Sequence, residues 1–289
     1  SMEDIKNFRQ WGSRTPGHPE FGHTAGVDTT TGPLGQGIAT AVGMALAETH
    51  LAKKYNKEDI SIIDHYTYVI CGDGDLMEGV SGEASSFAGV QKLGKLIVLY
   101  DSNDICLDGE TKDTFTEDVK KRYEAYQWQV LVVKDGNNLE EISKAIAEAK
   151  KNTETPTLIE IKTVIGYGSP TKAGKNSSHG APLGAEDTKG LREFLKWEHK
   201  EFEVPAEVYA DYKENVEKRG AVKEEEWKSL FTAYKAKNPE LGKELEAVMN
   251  KTLFDGVKVE YPSYETGFSQ ATRNASNDAI NAIAKTTPN

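Results

Sequence analysis

Two apolar β-runs, Tyr66-Thr67-Tyr68-Val69-Ile70-Cys71 and Leu96-Ile97-Val98-Leu99-Tyr100, bracket a stretch from Leu76 to Leu93 that carries Met77, Val80, Phe87, Val90 and Leu93 at helical spacing. A strand, a helix and a strand in that order leave little freedom of topology. The crossover is right-handed, and it sets two strand C-termini side by side. The alternation continues with Gln129-Val130-Leu131-Val132-Val133, closed by Asp135-Gly136-Asn137-Asn138, then an Ala-, Glu- and Lys-rich helix from Leu139 to Lys151, then Leu158-Ile159-Glu160-Ile161-Lys162-Thr163-Val164. Four β-runs separated by helical stretches predict an α/β fold, a doubly wound, mostly parallel sheet with helices on both faces.

The first β-run closes on Gly72-Asp73-Gly74, and Asn103 closes the second. Open α/β sheets bind ligands at the carboxyl ends of their strands, so these residues read as the two ends of a cation clamp for a diphosphate. The glycines let backbone N–H groups come close to phosphate oxygens. Asp73 supplies a charged oxygen and Asn103 a neutral one. Composition gives the reason for a cation: 35 Lys+Arg stand against 46 Asp+Glu, a net charge of -11. A carboxylate about 4 Å from a phosphate charge is repelled by roughly 4 kcal/mol at an effective dielectric near 20, and a divalent ion between them reverses the sign. Mg²⁺ suits the task, because it takes octahedral oxygen coordination from few protein groups and completes its shell with phosphate and water. Taken alone, Gly-Asp-Gly is equally a plain tight turn, and Asn103 an ordinary Asx-turn residue.

A second Gly-rich element, Thr29-Thr30-Thr31-Gly32-Pro33-Leu34-Gly35-Gln36-Gly37, opens a long small-residue helix from about Ile38 to Tyr55. Its unpaired N–H groups favour a negatively charged ligand, although a packing turn is the alternative, since the Lys-Ser/Thr of a phosphate-binding P-loop is missing. Ala39, Gly43 and Ala47 recur at four-residue spacing and would admit a close helix neighbour. His18 and His179 lie in Pro- and Gly-rich loops, where histidines are either site residues or surface hydrogen-bonding groups. His50, His65 and His199 fit no motif and read as structural or exposed.

At 289 residues and 37% hydrophobic content the chain can bury a core. No apolar stretch reaches membrane-spanning length, and no secretory signal opens the sequence. Cys71 and Cys106 lack metal or CxxC spacing and read as reduced packing residues of a cytosolic protein. The acidic balance argues against nucleic acid, and a nicotinamide site is disfavoured because no Gly-x-Gly-x-x-Gly follows the first strand. Gly190 to Lys251 is dense in Glu and Lys, with aromatics at helical intervals and breaks at Pro205 and Pro239. It predicts a charged helical C-terminal appendage. Phe254 to Ser269 reads as a linker, and about Ala271 to Lys285 as a final helix.

The phrases Gly12-Ser13-Arg14-Thr15-Pro16-Gly17-His18-Pro19-Glu20, Thr31 to Gly37, Gly72-Asp73-Gly74 through Glu78-Gly79, Lys121-Arg122-Tyr123-Glu124-Ala125-Tyr126, Ile165-Gly166-Tyr167-Gly168-Ser169 and His179-Gly180-Ala181-Pro182-Leu183-Gly184 resemble transketolases and run in that family's order. The similarity is to the diphosphate-binding half of these thiamine diphosphate enzymes. It implies that Asp73, the Asn103 side chain and the Ile105 carbonyl hold Mg²⁺, with Ca²⁺ or Mn²⁺ as substitutes. Gly74, Asn103 and His179 would touch the diphosphate, with Gly32, Pro33, Leu34 and Leu107 on the thiazolium side. His18 and His179 would be the catalytic and sugar-contacting histidines, and Arg273 would bind a substrate phosphate. Glu78 and Glu83 would join an acidic network at a homodimer interface, the bland alternative being acids that complement a helix dipole. The family's signature usually ends in two asparagines, whereas this chain has Asn103-Asp104, a departure common among transketolases.

By the same resemblance the chain is a fragment in three parts. Residues 3–189 are expected to form an N-terminally truncated diphosphate-binding domain, 190–253 a helical appendage, and 254–289 a linker and first helix towards a missing pyrimidine-binding domain. Ser1-Met2 looks like a cloning remnant. The implied parent activity is transfer of a two-carbon ketol unit from a ketose phosphate to an aldose phosphate, in the cytoplasm and the pentose phosphate pathway, with the fragment inactive by itself. Alternatives are a fragment of dihydroxyacetone synthase, or a non-catalytic binding or oligomerisation module.

Overall fold

The computed structural model describes residues 1–287. They divide into two compact units, one formed by Ser1–Asn56 with Ile63–Gly220, the other by Lys57–Ile62 with the chain from Ala221 onward. In the first, the helices α1 (Met2–Lys6) and α2 (Gln36–Tyr55) precede strand β1 (Thr67–Gly72); α3 (Asp73–Met77) and α4 (Gly79–Val90) lead to β2 (Leu96–Ser102), α5 (Val119–Ala125) to β3 (Gln129–Val133), and α6 (Leu139–Ala149) to β4 (Thr157–Lys162). A loop region and α7 (Ala185–Phe194) follow, then α8 (Ala206–Tyr212) and a π-helical segment, Lys213–Lys218.

The sheet is parallel throughout, in the order β1-β2-β4-β3. Its connections explain why helices cover both faces. Steps from β1 to β2 to β3 run one way across the sheet, and right-handed crossovers put α4 and α5 on one side; the return step from β3 to β4 puts α6 on the other. Ala88, Val119, Tyr123 and Trp128 accordingly share a core with Leu96, Val98 and Tyr100. Ile97, Val133, Ile159 and Ile161 pack with Ala149, Ile142 and Ile146 on the opposite face. Alternate residues of β2 thus point into different cores, and Leu96, Ile97 and Val98 are each fully buried. This two-sided burial is why the strand reads as an unbroken apolar run.

The helix expected from Leu76 to Leu93 is broken. Glu78 has extended backbone, φ -75° and ψ 137°, and separates α3 from α4. The small-residue stripe on α2 also differs from expectation. Ile38, Ala41, Val42 and Ala45 form its packed face, while Gly43 has open space around it. A stripe four residues apart fixes one side of a helix, but burial here follows the larger side chains.

The second unit holds most of α9 (Arg219–Lys237), α10 (Pro239–Met249) and α11 (Thr272–Thr286). Trp227, Phe231 and Tyr234 stack along α9, and the indole of Trp227 donates to the Ile62 carbonyl at 3.1 Å. Gly242 of α10 lies where an added Cβ would come 2.9 Å from the Lys235 Cα, so α9 and α10 approach closely. The stretch expected to be a linker carries no helix or strand between Phe254 and Ser269.

Candidate functional site

The register Gly72↔Asp101 brings the ends of β1 and β2 level, so that Asp73 and Asn103 leave the sheet side by side. Asp73 is buried, 3% exposed. Its Oδ1 accepts a 2.5 Å hydrogen bond from the Tyr100 hydroxyl, and its Oδ2 accepts from the Asn103 backbone N–H at 3.3 Å. Burial pushes the Asp73 carboxyl above its ordinary range, and those two donors only partly offset it. Burial, and then donation to Asp73, hold the Tyr100 phenol protonated well beyond the ordinary tyrosine range.

Asn103 turns its side chain along the following loop. Its Oδ1 accepts from the Ile105 N–H at 3.0 Å, and its Nδ2 donates to Asp101 Oδ2 at 3.3 Å. The next residue, Asp104, has φ +63°. Asn and Asp are the side-chain-bearing residues that tolerate this left-handed conformation best, so Asp replaces a second asparagine there without strain. The loop then folds back through a bridge between Ile105 and Glu110 and a 2.8 Å bond from the Cys106 N–H to the Gly109 carbonyl.

Around these residues opens a cleft of about 950 Å³, lined by His18, Gly32, Leu34, Asp73, Gly74, Glu78, Asn103, Ile105, Leu107 and His179 among others. Residues expected at one site from sequence segments far apart therefore meet in one cleft. Leu34 and Leu107 are exposed apolar side chains in its wall, as suits the flat apolar part of a ligand. The His18 ring packs against Gly32, where an added Cβ would lie 3.4 Å from the ring. The loop bearing His179 is tied to the opposite wall by a 3.3 Å bond from Asn176 Nδ2 to the Leu107 carbonyl. Pro33 is outside the lining residues. Glu83 is exposed on α4, on the side that also presents Val80, Phe87 and Val90. Arg273 lies in the first turn of α11, in the other compact unit.

Charge decides what the cleft can hold. Asp73, Asp75, Glu78, Asp101, Asp108, Glu110 and Asp113 line it, and none of its described lining residues is Lys or Arg. Among the described residues no group of three or more His, Cys, Asp or Glu side chains is assembled as a metal centre. The oxygen groups expected to serve a cation, the Asp73 carboxylate, the Asn103 carboxamide and the Ile105 carbonyl, belong to three residues that line this cleft. An all-oxygen set whose single charge is the buried Asp73 carboxylate, which has no basic partner among the described residues, fits a hard divalent cation that shares its shell with phosphate. Sequence reasoning missed Tyr100, Asp75 and Asp101 as members of this site. Their only signal was position: each stands within three residues of a predicted ligand.

The family profile described as "Transketolase, thiamine diphosphate binding domain" matches residues 1–254. The chain belongs to the transketolase family. This transketolase-family chain is 60% identical over 291 aligned positions to the probable transketolase of Streptococcus pneumoniae, covering all of the chain and 44% of that protein. It is 58% identical to the transketolase of Geobacillus stearothermophilus, covering 43% of it. Among solved structures, transketolase from Leishmania mexicana superposes with a TM-score of 0.90 at 44% identity, over the whole chain and 43% of that structure. A Pichia stipitis transketolase in complex with sedoheptulose 7-phosphate gives 0.88 at 46% identity, over 99% of the chain and 42% of that structure. The chain thus spans less than half the length of the transketolases it matches. Among its described residues no helix is long and apolar enough to cross a membrane.

Proposed function

We propose that this chain is the diphosphate-holding part of a thiamine diphosphate- and Mg²⁺-dependent ketol transferase. The observation that carries the reading is that Asp73 and Asn103, from adjoining strand ends, and Ile105, from the loop after β2, line one acidic cleft whose described lining has no Lys or Arg. A diphosphate enters such a cleft only with a cation. Asp73, the Asn103 carboxamide and the Ile105 carbonyl would hold the metal, and Gly74 would leave room for phosphate oxygens near the backbone. Leu34 and Leu107 would shield the thiazolium side from water, with Gly32 and Pro33 shaping that wall. When bound, thiamine diphosphate supplies the electron sink for cleaving and forming the carbon–carbon bond.

His18 and His179 stand at the cleft and are read as the groups that hydrogen-bond the sugar and hold a proton at its oxygens. The substrates are read as ketose and aldose phosphates, since a relative was solved with sedoheptulose 7-phosphate; Arg273 is the residue proposed to meet the sugar's terminal phosphate. Glu78 and Glu83 are assigned to contacts with a second subunit. Because the chain spans under half of its relatives' length, turnover is assigned to the longer protein, in the cytoplasmic pentose phosphate pathway, and not to residues 3–189 with their helical extension alone. Calorimetric titration with thiamine diphosphate tests the binding claim. Heat that requires Mg²⁺ and vanishes in Asp73→Ala is expected; Mg²⁺-independent binding would overturn it. Turnover of xylulose 5-phosphate with ribose 5-phosphate by this chain alone would refute the assignment of activity to the longer protein.

A further inference from the structure

We propose that Asp75 is a positioning residue that holds the two walls of the cofactor cleft at a fixed separation, an inference that rests on the cofactor reading above. Its carboxylate is shared between two backbone amides. Oδ1 accepts from the Gly35 N–H at 2.9 Å and Oδ2 from the Gly72 N–H at 2.9 Å. Gly35 follows directly on Gly32, Pro33 and Leu34, the segment read as the thiazolium wall. Gly72 precedes Asp73 and Gly74, the segment read as the metal and diphosphate wall. One side chain therefore joins the loop at Gly35, 40 positions before it in sequence, to the strand end at Gly72.

Both ends of the tie are rigid. Gly35 is buried at φ +77°, and an added Cβ there would lie 2.7 Å from Ser81 Oγ and 2.9 Å from Val80 Cγ1, so its loop has no slack towards α4. The short helix bearing Asp75 is pinned from behind: the Ser81 hydroxyl donates to the Asp75 carbonyl, and both terminal nitrogens of Arg122 donate to the Leu76 carbonyl at 3.1 Å. The walls also touch at Leu34, whose methyl carbon lies 3.4 Å from where a Cβ on Gly74 would be. An acid in this place adds repulsion towards a diphosphate, so charge does not explain it. Geometry does. Two N–H groups need two acceptors, which a carboxylate offers and a carboxamide does not, because its NH₂ would face the second amide donor to donor.

The test uses the full chain with three sequences: wild type, Asp75→Asn and Ser81→Ala. Each is titrated at saturating Mg²⁺ with thiamine diphosphate, which would span both walls, and with inorganic pyrophosphate, which would meet the metal wall alone. Asp75→Asn is expected to weaken thiamine diphosphate about tenfold or more relative to pyrophosphate, whose own affinity holds or rises because one repelling charge is gone. Ser81→Ala, which removes the pin behind Asp75 but spares its carboxylate, is expected to shift the ratio of the two affinities in the same direction as Asp75→Asn and by less. Equal losses for both ligands in Asp75→Asn, as general destabilisation would give, or no loss at all, overturn the proposal. Amide exchange in the ligand-free protein reads the tie directly: Gly35 and Gly72 should be protected in wild type and lose protection in Asp75→Asn, and unchanged protection overturns the proposal. Should wild type bind neither ligand, the cofactor reading fails, and exchange at these two amides alone decides whether the loops are tied.

Discussion

The hydroxyl of Tyr100 donates to Oδ1 of Asp73 across 2.5 Å, from the strand next to the one that Asp73 terminates. A buried carboxylate is thereby held by a donor that cannot itself lose its proton near neutral pH. The pair fixes one oxygen of Asp73 and leaves the direction of the other to the Asn103 amide. The carboxylate would thus be oriented before any cation arrives.

Tyr100→Phe removes that donor without changing the ring. The carboxylate it leaves has lost a partner where water is scarce, which costs about 1–3 kcal/mol. The expected result is a lower urea midpoint of the ligand-free protein together with a Mg²⁺-dependent thiamine diphosphate affinity reduced about 10–100-fold. Unchanged affinity with reduced stability would show that Tyr100 serves packing alone.

Asp73→Asn is expected to move stability and binding in opposite directions. The folded carboxyl titrates above its ordinary 3.8, chiefly through burial, so between the unfolded and folded pKa values the native state binds more protons than the unfolded chain. Stability of the wild type therefore falls as pH rises through that window, and the deficit persists at neutral pH. A neutral Asn escapes it. The ligand-free variant should melt no lower than wild type at pH 7 and show less change of midpoint between pH 3 and 7, while its Mg²⁺-dependent binding disappears. A variant melting well below wild type at pH 7 would count against this account.

How much of this was written legibly in the sequence depends on the range of the contacts. The four strands were readable because each is a run of apolar residues closed by turn signals, and parallel strands packed on both sides show just that pattern. Asp73 and Asn103 were readable because they end such runs. The break at Glu78 was not, since Met77 and Val80 suit one helical period whether or not the backbone extends between them. Helix α5 passed unread, although the Asp118 side chain accepts from the Lys121 N–H as a helix N-cap and Val119 and Tyr123 stand one turn apart. Least legible was Asp75. Its partners Gly35 and Gly72 are backbone amides, which leave no trace in residue type, and the former is brought near only by the packing of α2 on the sheet.

Gly89→Ala tests how closely the connection after β1 is packed. A Cβ at this buried position in α4 would lie 1.8 Å from the Tyr126 carbonyl oxygen and 3.5 Å from the Trp128 ring. Ala is the better helix former by about 1 kcal/mol, but here that gain is overwhelmed. The Tyr126 backbone has to move, while Trp128, whose indole donates to the Ser85 carbonyl at 2.8 Å, stays at ordinary van der Waals distance. A net loss of about 3 kcal/mol or more is expected from chemical denaturation. Gly43→Ala, on α2 where nothing lies within 4 Å of an added Cβ, should instead be neutral or stabilising, and a similar loss at both positions would contradict the packing described.

Asp187 gives the loop that carries His179 a sensitivity to acid. From α7 its Oδ2 accepts from the Thr171 hydroxyl at 2.7 Å, and its Oδ1 accepts from the Ser169 hydroxyl at 2.7 Å and the Thr171 N–H at 2.8 Å. Those bonds, led by the Thr171 and Ser169 hydroxyls, hold the carboxyl below its ordinary 3.8. The unfolded chain then binds the proton first as pH falls, so the contribution is complete above the ordinary carboxylate value and is lost as pH drops through the folded one. The same segment reaches the His179 loop through Lys172, whose Nζ donates to the Pro182 carbonyl at 2.9 Å. Protonating Asp187 should therefore loosen the wall opposite Asn103 before the sheet unfolds. The Thr171 amide resonance reports it: its shift should titrate with a midpoint below 3.8 in wild type and stay flat in Asp187→Asn. A midpoint at or above the ordinary value would mean that the hydroxyls do not favour the ionised form, and the loop would then owe its place to Lys172 and the Asn176–Leu107 bond.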